Sequence, residues 1–254
     1  MLKFFGFTFG LSWILWSLAA LVPVGTTLRT YLFLPGTFAP AIVALWMGGW
    51  SLIDRIFIWQ VKPRWYAFAL LYLGGMKIAA AIVHRLALGT WPAIEPAPWF
   101  LFVAGTLVST PFQAGEELGW RGYALPRLTR RFGLGAASAL LGVLWAIWHL
   151  PLFFIAATDT TGQSLPFYVL TVTAISVALG WLYAGTGGSL LLVMLMHAAA
   201  NNTPHFGAPV AAGNVWALHA SAPQWLTVAF LWMGAAVLLV RMRAATISDE
   251  GSVR

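Results

Sequence analysis

Residues 166–184 read PFYVLTVTAISVALGWLYA, a run of 19 residues that contains no charged side chain. A helix needs about 20 apolar residues to cross the hydrocarbon core of a bilayer, so this run predicts a membrane-spanning helix. The whole chain has the same character, because 60% of its 254 residues are hydrophobic and only 8% are charged. A typical soluble domain carries about 25% charged residues. The composition therefore excludes a soluble domain and predicts an all-α polytopic membrane helix bundle.

Seven further runs of this kind predict a bundle of about eight transmembrane helices. The runs are continuous rather than alternating in polarity, which argues against a membrane β-barrel. No long repeat or polar linker divides the sequence, so residues 1–254 are predicted to form a single membrane domain. The sequence contains no cysteine, which excludes disulfides, thiolate metal ligands and a cysteine nucleophile. The eight candidate spans are residues 4–24, 32–50, 65–84, 99–124, 134–155, 166–184, 187–203 and 223–242.

The basic residues are distributed unequally between the two sides of the predicted bundle. Eleven of them fall on the side of the termini, whereas only Arg29 and Arg85 fall on the other side. Lysine and arginine are in excess in cytoplasmic loops, so both termini are predicted to be cytoplasmic, in a bacterial or archaeal cytoplasmic membrane. The basic residues form no stripe, which argues against a nucleic-acid partner. The eleven are Lys3, Arg55, Lys62, Arg64, Arg121, Arg127, Arg130, Arg131, Arg241, Arg243 and Arg254.

Two adjacent acidic residues, Glu116 and Glu117, lie inside an apolar span, where a charge is costly. Glu117 and Arg121 are four residues apart with the acid first, which predicts an ion pair on one helix face. Glu116 lies about 100° round the helix and is left without this partner. A carboxyl group in such surroundings suits a general base or acid. The alternative is a juxtamembrane charge cluster that only ends the helix. The other acidic residues fall in predicted loops or the tail: Asp54, Glu95, Asp159, Asp249 and Glu250.

Lys77 is the remaining charge within a predicted span. The sequence leaves open whether its side chain reaches the membrane interface or pairs with Asp54.

Two histidines and an asparagine add polar side chains to later spans. His149 ends the fifth span, and Trp145 lies one turn before it, where it could fix or shield the imidazole ring. His197 lies in the seventh span, with Asn201 one turn later on the same face. Each motif alone also fits a packing role, because His and Asn commonly form hydrogen bonds between membrane helices.

The three polar spans together favour a catalytic site, because costly polar groups in a membrane are expected to face one another rather than lipid. A carboxylate, two histidines and an amide are the groups that water-activated hydrolysis requires. A transporter that relays protons or ions through the same groups remains an alternative, although that class is expected to show inverted repeats and broken helices.

The three motifs resemble those of the CPBP family of intramembrane proteases, which includes the type II CAAX prenyl endopeptidases and bacteriocin-processing or immunity-like membrane proteins. Glu116, Glu117 and Arg121 match its Glu-Glu-x-x-x-Arg motif, and His197 and Asn201 match its His-x-x-x-Asn motif. His149 matches the histidine of Phe-x-x-x-His, but Trp145 replaces the usual phenylalanine. The matched core spans residues 105–203.

The resemblance implies an intramembrane endopeptidase that cleaves a membrane-anchored, for example prenylated, peptide or protein. It assigns activation of the attacking water to Glu116 and His149, and the oxyanion site to His197 and Asn201. Glu117 and Arg121 become a supporting pair. A non-catalytic immunity or regulatory protein of the same family is the alternative function.

Metal dependence stays open at this stage. Glu116, His149 and His197 could form a His₂Glu zinc set, but His-Glu-x-x-His is absent and the three residues come from three helices. The interpretation favours hydrolysis without a metal.

The catalytic interpretation predicts that Glu116, His149, His197 and Asn201 converge beneath a cavity that opens to the cytoplasm. A helix from Trp99 would place Glu116 about 26 Å from its start, on a level different from that of His149. We therefore expect the fourth helix to run from near Val103 to Ala124, with a kink at Pro111, and the fifth to begin near Gly135.

Overall fold

The computed structural model describes residues 1–94, 98–204, 206 and 214–251, with side chains as far as residue 244. These residues form ten α-helices, shorter 3₁₀ and π segments, and one isolated β-bridge between Ile94 and Phe206. The predicted all-α membrane bundle is confirmed. The α-helices are α1 (Leu2–Ala20), α2 (Thr27–Thr37), α3 (Ala39–Gly48), α4 (Pro63–Leu88), α5 (Trp99–Ser109), α6 (Ala114–Glu117), α7 (Leu125–Trp148), α8 (Leu165–Gly185), α9 (Leu190–Asn202) and α10 (Ala222–Gly251).

Two outcomes concern the predicted loops and tail. Glu95 and Arg254 lie outside the described residues. Asp249 and Glu250 were expected in a tail. Their backbone is instead helical, because α10 continues past its apolar part to Gly251.

Five helical stretches within the described residues are long and apolar enough to cross a membrane, and the bent pair of α2 and α3 makes a sixth. The angle between α2 and α3 is 46°. The remaining two of the eight predicted spans are accounted for differently. Residues 99–154 form one 56-residue helical stretch, although the sequence predicted two spans there. The other difference is α9, which has only 13 residues where a full span was predicted. The count of eight therefore stays a prediction.

The stretch from Trp99 to Phe154 differs from the expected geometry. α5 begins at Trp99 rather than near Val103, so that revised start was wrong. A 3₁₀ turn at Thr110–Gln113 contains Pro111, where a kink was expected, and a π-helix at Leu118–Ala124 follows α6. Helical structure also continues past Ala124 through α7, which is interrupted only at Gly133, where φ is +74°. These changes of helix type, rather than a later start, set the position of Glu116.

Side-chain caps start α8 and α9, the second of which carries His197 and Asn201. The hydroxyl of Ser164 accepts a hydrogen bond from the backbone N–H of Phe167 at the start of α8, and Ser189 does the same for Leu192 at the start of α9. Such caps satisfy N–H groups that the first turn of a helix leaves free. α7 and α8 form the most extensive helix contact, with Gly142 of α7 against the backbone of Thr173.

Candidate active site

Glu117 lies at the centre of a buried charged triad. Its carboxylate accepts two hydrogen bonds from Nη1 of Arg121, at 2.9 and 3.1 Å, so the ion pair predicted from the spacing is present. Oε1 of Glu117, which accepts the shorter of these two bonds, also lies 2.8 Å from Nδ1 of His197 on α9. Glu117 and Arg121 are both fully buried, and His197 is 5% exposed. The second carboxylate thus joins the first motif to the third.

Arg121 has further partners besides Glu117. Its Nη2 donates to the hydroxyl of Ser176 on α8 at 3.2 Å, and that hydroxyl donates to the carbonyl of Ser138 at 2.8 Å. The guanidinium carbon lies 4.5 Å from the ring centroid of Trp145, within the range of a cation–π contact. A buried guanidinium requires such compensation, because removing a charge from water is costly unless it is paired and hydrogen-bonded.

Glu116 is held by indole groups rather than by a cation. Its Oε2 atom accepts a 2.6 Å hydrogen bond from Nε1 of Trp145 on α7 and a longer one, 3.4 Å, from Nε1 of Trp120. The side chain is 8% exposed. The two carboxylates therefore occupy different surroundings, as the helix-face argument predicted, and Oε1 of Glu116 has no hydrogen-bond partner among the described residues.

His149 caps the C-terminal end of α7 and is half-buried. Its Nδ1 atom lies 2.8 Å from the carbonyl oxygen of Trp145. Because a carbonyl can only accept, Nδ1 carries the hydrogen, and Nε2 of the neutral ring is the nitrogen with a free lone pair. The rings of Trp148 and Tyr168 flank the imidazole, with centroid distances of 4.7 and 5.4 Å.

Trp145 is the common neighbour of the predicted catalytic groups. It donates to Glu116, and its ring centroid lies 6.0 Å from that of His149 and 5.0 Å from that of His197. Glu116, His149 and His197 thus meet around one indole, although they come from three separate helical segments.

Asn201 is placed differently from these three. Its side chain is exposed, and it forms no hydrogen bond within the part of the chain that the structure describes. The neighbouring Asn202 instead packs inward, where its amide donates to the hydroxyl of Ser109 at 2.9 Å and to the carbonyl of Ala198 at 2.8 Å. The amide of Asn201 is consequently available to a ligand, whereas that of Asn202 is used in joining α9 to α5.

α1 forms hydrogen bonds with the C-terminal end of α7, next to His149. The hydroxyl of Ser12 accepts a 2.7 Å hydrogen bond from Nε1 of Trp148 and itself donates to the carbonyl of Gly36. Nε1 of Trp13 donates to the backbone carbonyl of Trp148 at 2.9 Å. Both main chain and side chain of the residue before His149 are therefore fixed by α1.

Lys77 pairs neither with Asp54 nor with another carboxylate among the described side chains. Its Nζ donates to the carbonyls of Thr203 and Pro204, at 3.1 and 2.8 Å, just beyond α9. This lysine thus contacts the segment that follows the third motif.

The residues considered for zinc are not arranged as a metal site. Among the described residues, no three His, Cys, Asp or Glu side chains lie close enough together to hold one ion. Glu116 accepts from indole N–H groups, and His149 and His197 each use Nδ1 for another contact. Zinc-binding histidines form the same kind of Nδ1 contact, so the spacing of the three side chains is the one feature here that speaks against a zinc ion.

The amino-acid sequence was also compared with known proteins. Residues 95–203 match the family described as "Type II CAAX prenyl endopeptidase Rce1-like". A relative named CAAX prenyl protease 2, from Methanococcus maripaludis, is 26% identical over 220 residues, covering 75% of this chain and 78% of the relative. The chain is thus similar to this family over residues 95–203 and to this relative over three quarters of its length. The predicted resemblance is confirmed, and the matched segment includes every residue of the three motifs.

Several residues that support this candidate site were not predicted from the sequence. Trp120 and Ser176 each bind a motif residue, Ser12 binds the neighbour of His149, and Ser138 binds Ser176. Only Trp120 carries a pattern that could have revealed it, because it lies four residues after Glu116 and so on the same helix face.

Proposed function

We propose that this chain is an intramembrane endopeptidase that hydrolyses a peptide bond of a membrane-attached substrate. The family that it resembles is one of proteases, and its apolar helices fit a lipid bilayer. One observation carries the proposal further, namely the meeting of Glu116, His149 and His197 around Trp145. A general base, a second proton-transfer group and a donor for the oxyanion are thereby available in one buried place.

In this proposal Glu116 and His149 activate the attacking water. The free Oε1 of Glu116 and the unprotonated Nε2 of His149 both accept hydrogen bonds, so a water between them is polarised from two sides. Glu116 takes the proton as the water oxygen forms its bond to the scissile carbonyl carbon. The hydrogen bond from Trp145 holds the other carboxylate oxygen and fixes the direction of Oε1.

The tetrahedral intermediate then carries a negative charge on the former carbonyl oxygen. Glu117 accepts from Nδ1 of His197, so Nε2–H of that ring is proposed as the donor to this oxygen. The exposed amide of Asn201, one turn away on α9, supplies a second donor. Glu116 or His149 returns the proton to the leaving nitrogen as the C–N bond breaks, which yields a free amine and a carboxylate.

The substrate is proposed to be a peptide or protein anchored in the bilayer. The relative from Methanococcus maripaludis is named as a prenyl protease, which makes a prenylated C-terminal segment the first candidate. We further propose that both termini lie in the cytoplasm of a bacterium or archaeon, from the eleven basic residues on that side against two on the other.

A non-catalytic immunity or regulatory protein of the same family is the second candidate. Every residue of the three motifs is present in this chain, and their geometry places an acid and two imidazoles together, which favours catalysis. The transporter alternative gains one feature, the 46° bend between α2 and α3, because broken helices are common in transporters. The protease family match outweighs that single feature.

Cleavage of a panel of membrane peptides by the purified protein tests the proposal. The panel contains one C-terminal peptide in prenylated and unprenylated form, and mass spectrometry identifies the bond that is cut. We compare the wild type with Glu116→Gln, His149→Ala and His197→Ala, and use Asp54→Asn as a control, because Asp54 is exposed and outside the site. Loss of cleavage in the three site variants and retention in the control support the proposal.

Three results would overturn parts of it. Equal cleavage by the wild type and Glu116→Gln contradicts the mechanism, and cleavage of neither peptide by the wild type favours the regulatory alternative. Activity that chelator removes and zinc restores contradicts hydrolysis without a metal.

A further inference from the structure

α9 is too short to cross a bilayer. Its 13 residues are about 20 Å long, whereas the hydrocarbon core is about 30 Å thick. Its start lies near the segment that leads into α4, because Ser189 donates a 2.6 Å hydrogen bond to the carbonyl of Ile58, five residues before Pro63. Lys77 comes 14 residues after Pro63, which is about 21 Å along α4. Lys77 contacts the residues that follow α9 and lies 11 residues before the end of α4, a helix long enough to cross a membrane, so we place both within the depth of the bilayer.

A helix that ends inside a bilayer exposes backbone carbonyls that water cannot satisfy. At the end of α9, side chains donate hydrogen bonds to backbone carbonyls in place of water. The amide of Asn202 donates to the carbonyl of Ala198, and the hydroxyl of Thr203 donates to that of Ala199 at 2.6 Å. Lys77 then binds the next exposed carbonyls, those of Thr203 and Pro204.

The charge of Lys77 suits this position. The C-terminal end of a helix carries a partial negative charge, which a cation stabilises. Lys77 has no carboxylate partner among the described side chains, so the carbonyls are its compensation for leaving water. An intramembrane cation usually has a functional reason. Lys77 also lies outside the segment that matches the protease family, residues 95–203.

We infer that Lys77 is a positioning residue, whose ammonium group fixes the intramembrane end of α9 and thereby the place of Asn201. This inference rests on the proposed function, in which the amide of Asn201 donates to the oxyanion. Lys77 itself touches neither Glu116 nor the two histidines in the described contacts. Its effect on the reaction therefore passes through the backbone of residues 203 and 204.

Lys77→Met tests the inference, because methionine keeps an apolar side chain of similar length and removes the charge. We expect kcat for peptide cleavage to fall about 10- to 100-fold with KM little changed, since displacement of a catalytic group by about 1 Å has effects of this size. Lys77→Arg, which retains the cation, restores at least part of kcat. Lys62→Met is the matched control, because Lys62 is exposed and lies just before the same helix.

A double variant separates positioning from general stability. If Lys77 acts through Asn201, adding Lys77→Met to Asn201→Ala lowers kcat little further. Additive losses, or no rescue by arginine, overturn the inference.

Hydrogen–deuterium exchange gives a readout that does not need activity. We expect faster exchange at the end of α9 and in residues 203–204 for Lys77→Met, but not for Lys62→Met. Unchanged exchange overturns the inference even if the protein is a protease. Faster exchange in a protein without peptidase activity supports the anchoring by Lys77 and refutes the proposed function separately.

Discussion

Nε1 of Trp145 donates a 2.6 Å hydrogen bond to the carboxylate of Glu116, although the two residues belong to different helical segments. The position of Trp145 is usually phenylalanine in the CPBP motif that it matches. Phenylalanine fills the same kind of space but has no donor. The tryptophan therefore adds a polar contact between the first and second motifs, which a change to phenylalanine can remove selectively.

Trp145→Phe is expected to lower kcat about 10- to 100-fold, because a hydrogen bond to a charged group contributes about 1.5–3 kcal/mol. Steady-state cleavage kinetics measure the effect. Trp16→Phe is the control, because Nε1 of Trp16 donates to the backbone carbonyl of Phe33, an indole contact that includes no motif residue. Equal losses of kcat in both variants would show that the contact with Glu116 has no special role.

Glu117→Gln is expected to destabilise the protein by about 3–5 kcal/mol, because Arg121 then remains buried without a counter-charge. Thermal unfolding in detergent measures this loss. Glu117→Leu combined with Arg121→Met removes both charges and is expected to recover most of the stability. Activity should stay low in the double variant, since Nδ1 of His197 has lost its acceptor. Recovery of full activity would contradict the orienting role of Glu117.

Ser176→Ala removes the hydroxyl that lies between Arg121 and the carbonyl of Ser138. Two buried polar groups then lose a partner, and we expect a loss of about 1–3 kcal/mol in the free energy of unfolding. The exposed Ser17 provides the matched control, Ser17→Ala. Similar thermal midpoints for the two variants would refute a stabilising role for the Ser176 contacts.

Gly142→Ala tests the close contact of α7 with α8. An added Cβ would lie 2.7 Å from Cα of Thr173 and 2.7 Å from Cβ of Ser176, so the helices must separate. We expect a destabilisation of about 1–3 kcal/mol. Gly6→Ala, also within a helix, meets nothing within 4 Å and should be neutral or slightly stabilising. A neutral result at Gly142 would mean that the helices can separate without cost.

The sequence predicted the parts of the fold and site that depend on local spacing. Charge scarcity identified a membrane bundle, and the four-residue spacing of Glu117 and Arg121 predicted their pair. The separate surroundings of Glu116 followed from the same helix geometry. These features need only the helical repeat and the cost of a charge in lipid.

Contacts between distant segments could not be predicted in this way. His197 binds a carboxylate 80 residues earlier, and Lys77 binds carbonyls more than 120 residues later. Hydrophobic periodicity carries no information about such pairs. The changes of helix type between Thr110 and Ala124 were missed for a related reason, because tertiary packing rather than local propensity selects them.

The hydrogen bond between Ser12 and Trp148 has a consequence for biogenesis. The two residues are 136 positions apart in the chain. At a synthesis rate of about 5–20 residues per second, Ser12 is made roughly 7–27 s before its partner. Until then the indole N–H of Trp13 lacks the carbonyl of Trp148 as its acceptor, and the turn that carries His149 reaches its final form only when α1 docks. Delayed insertion of α1 should accordingly yield a full-length chain in which His149 is misplaced.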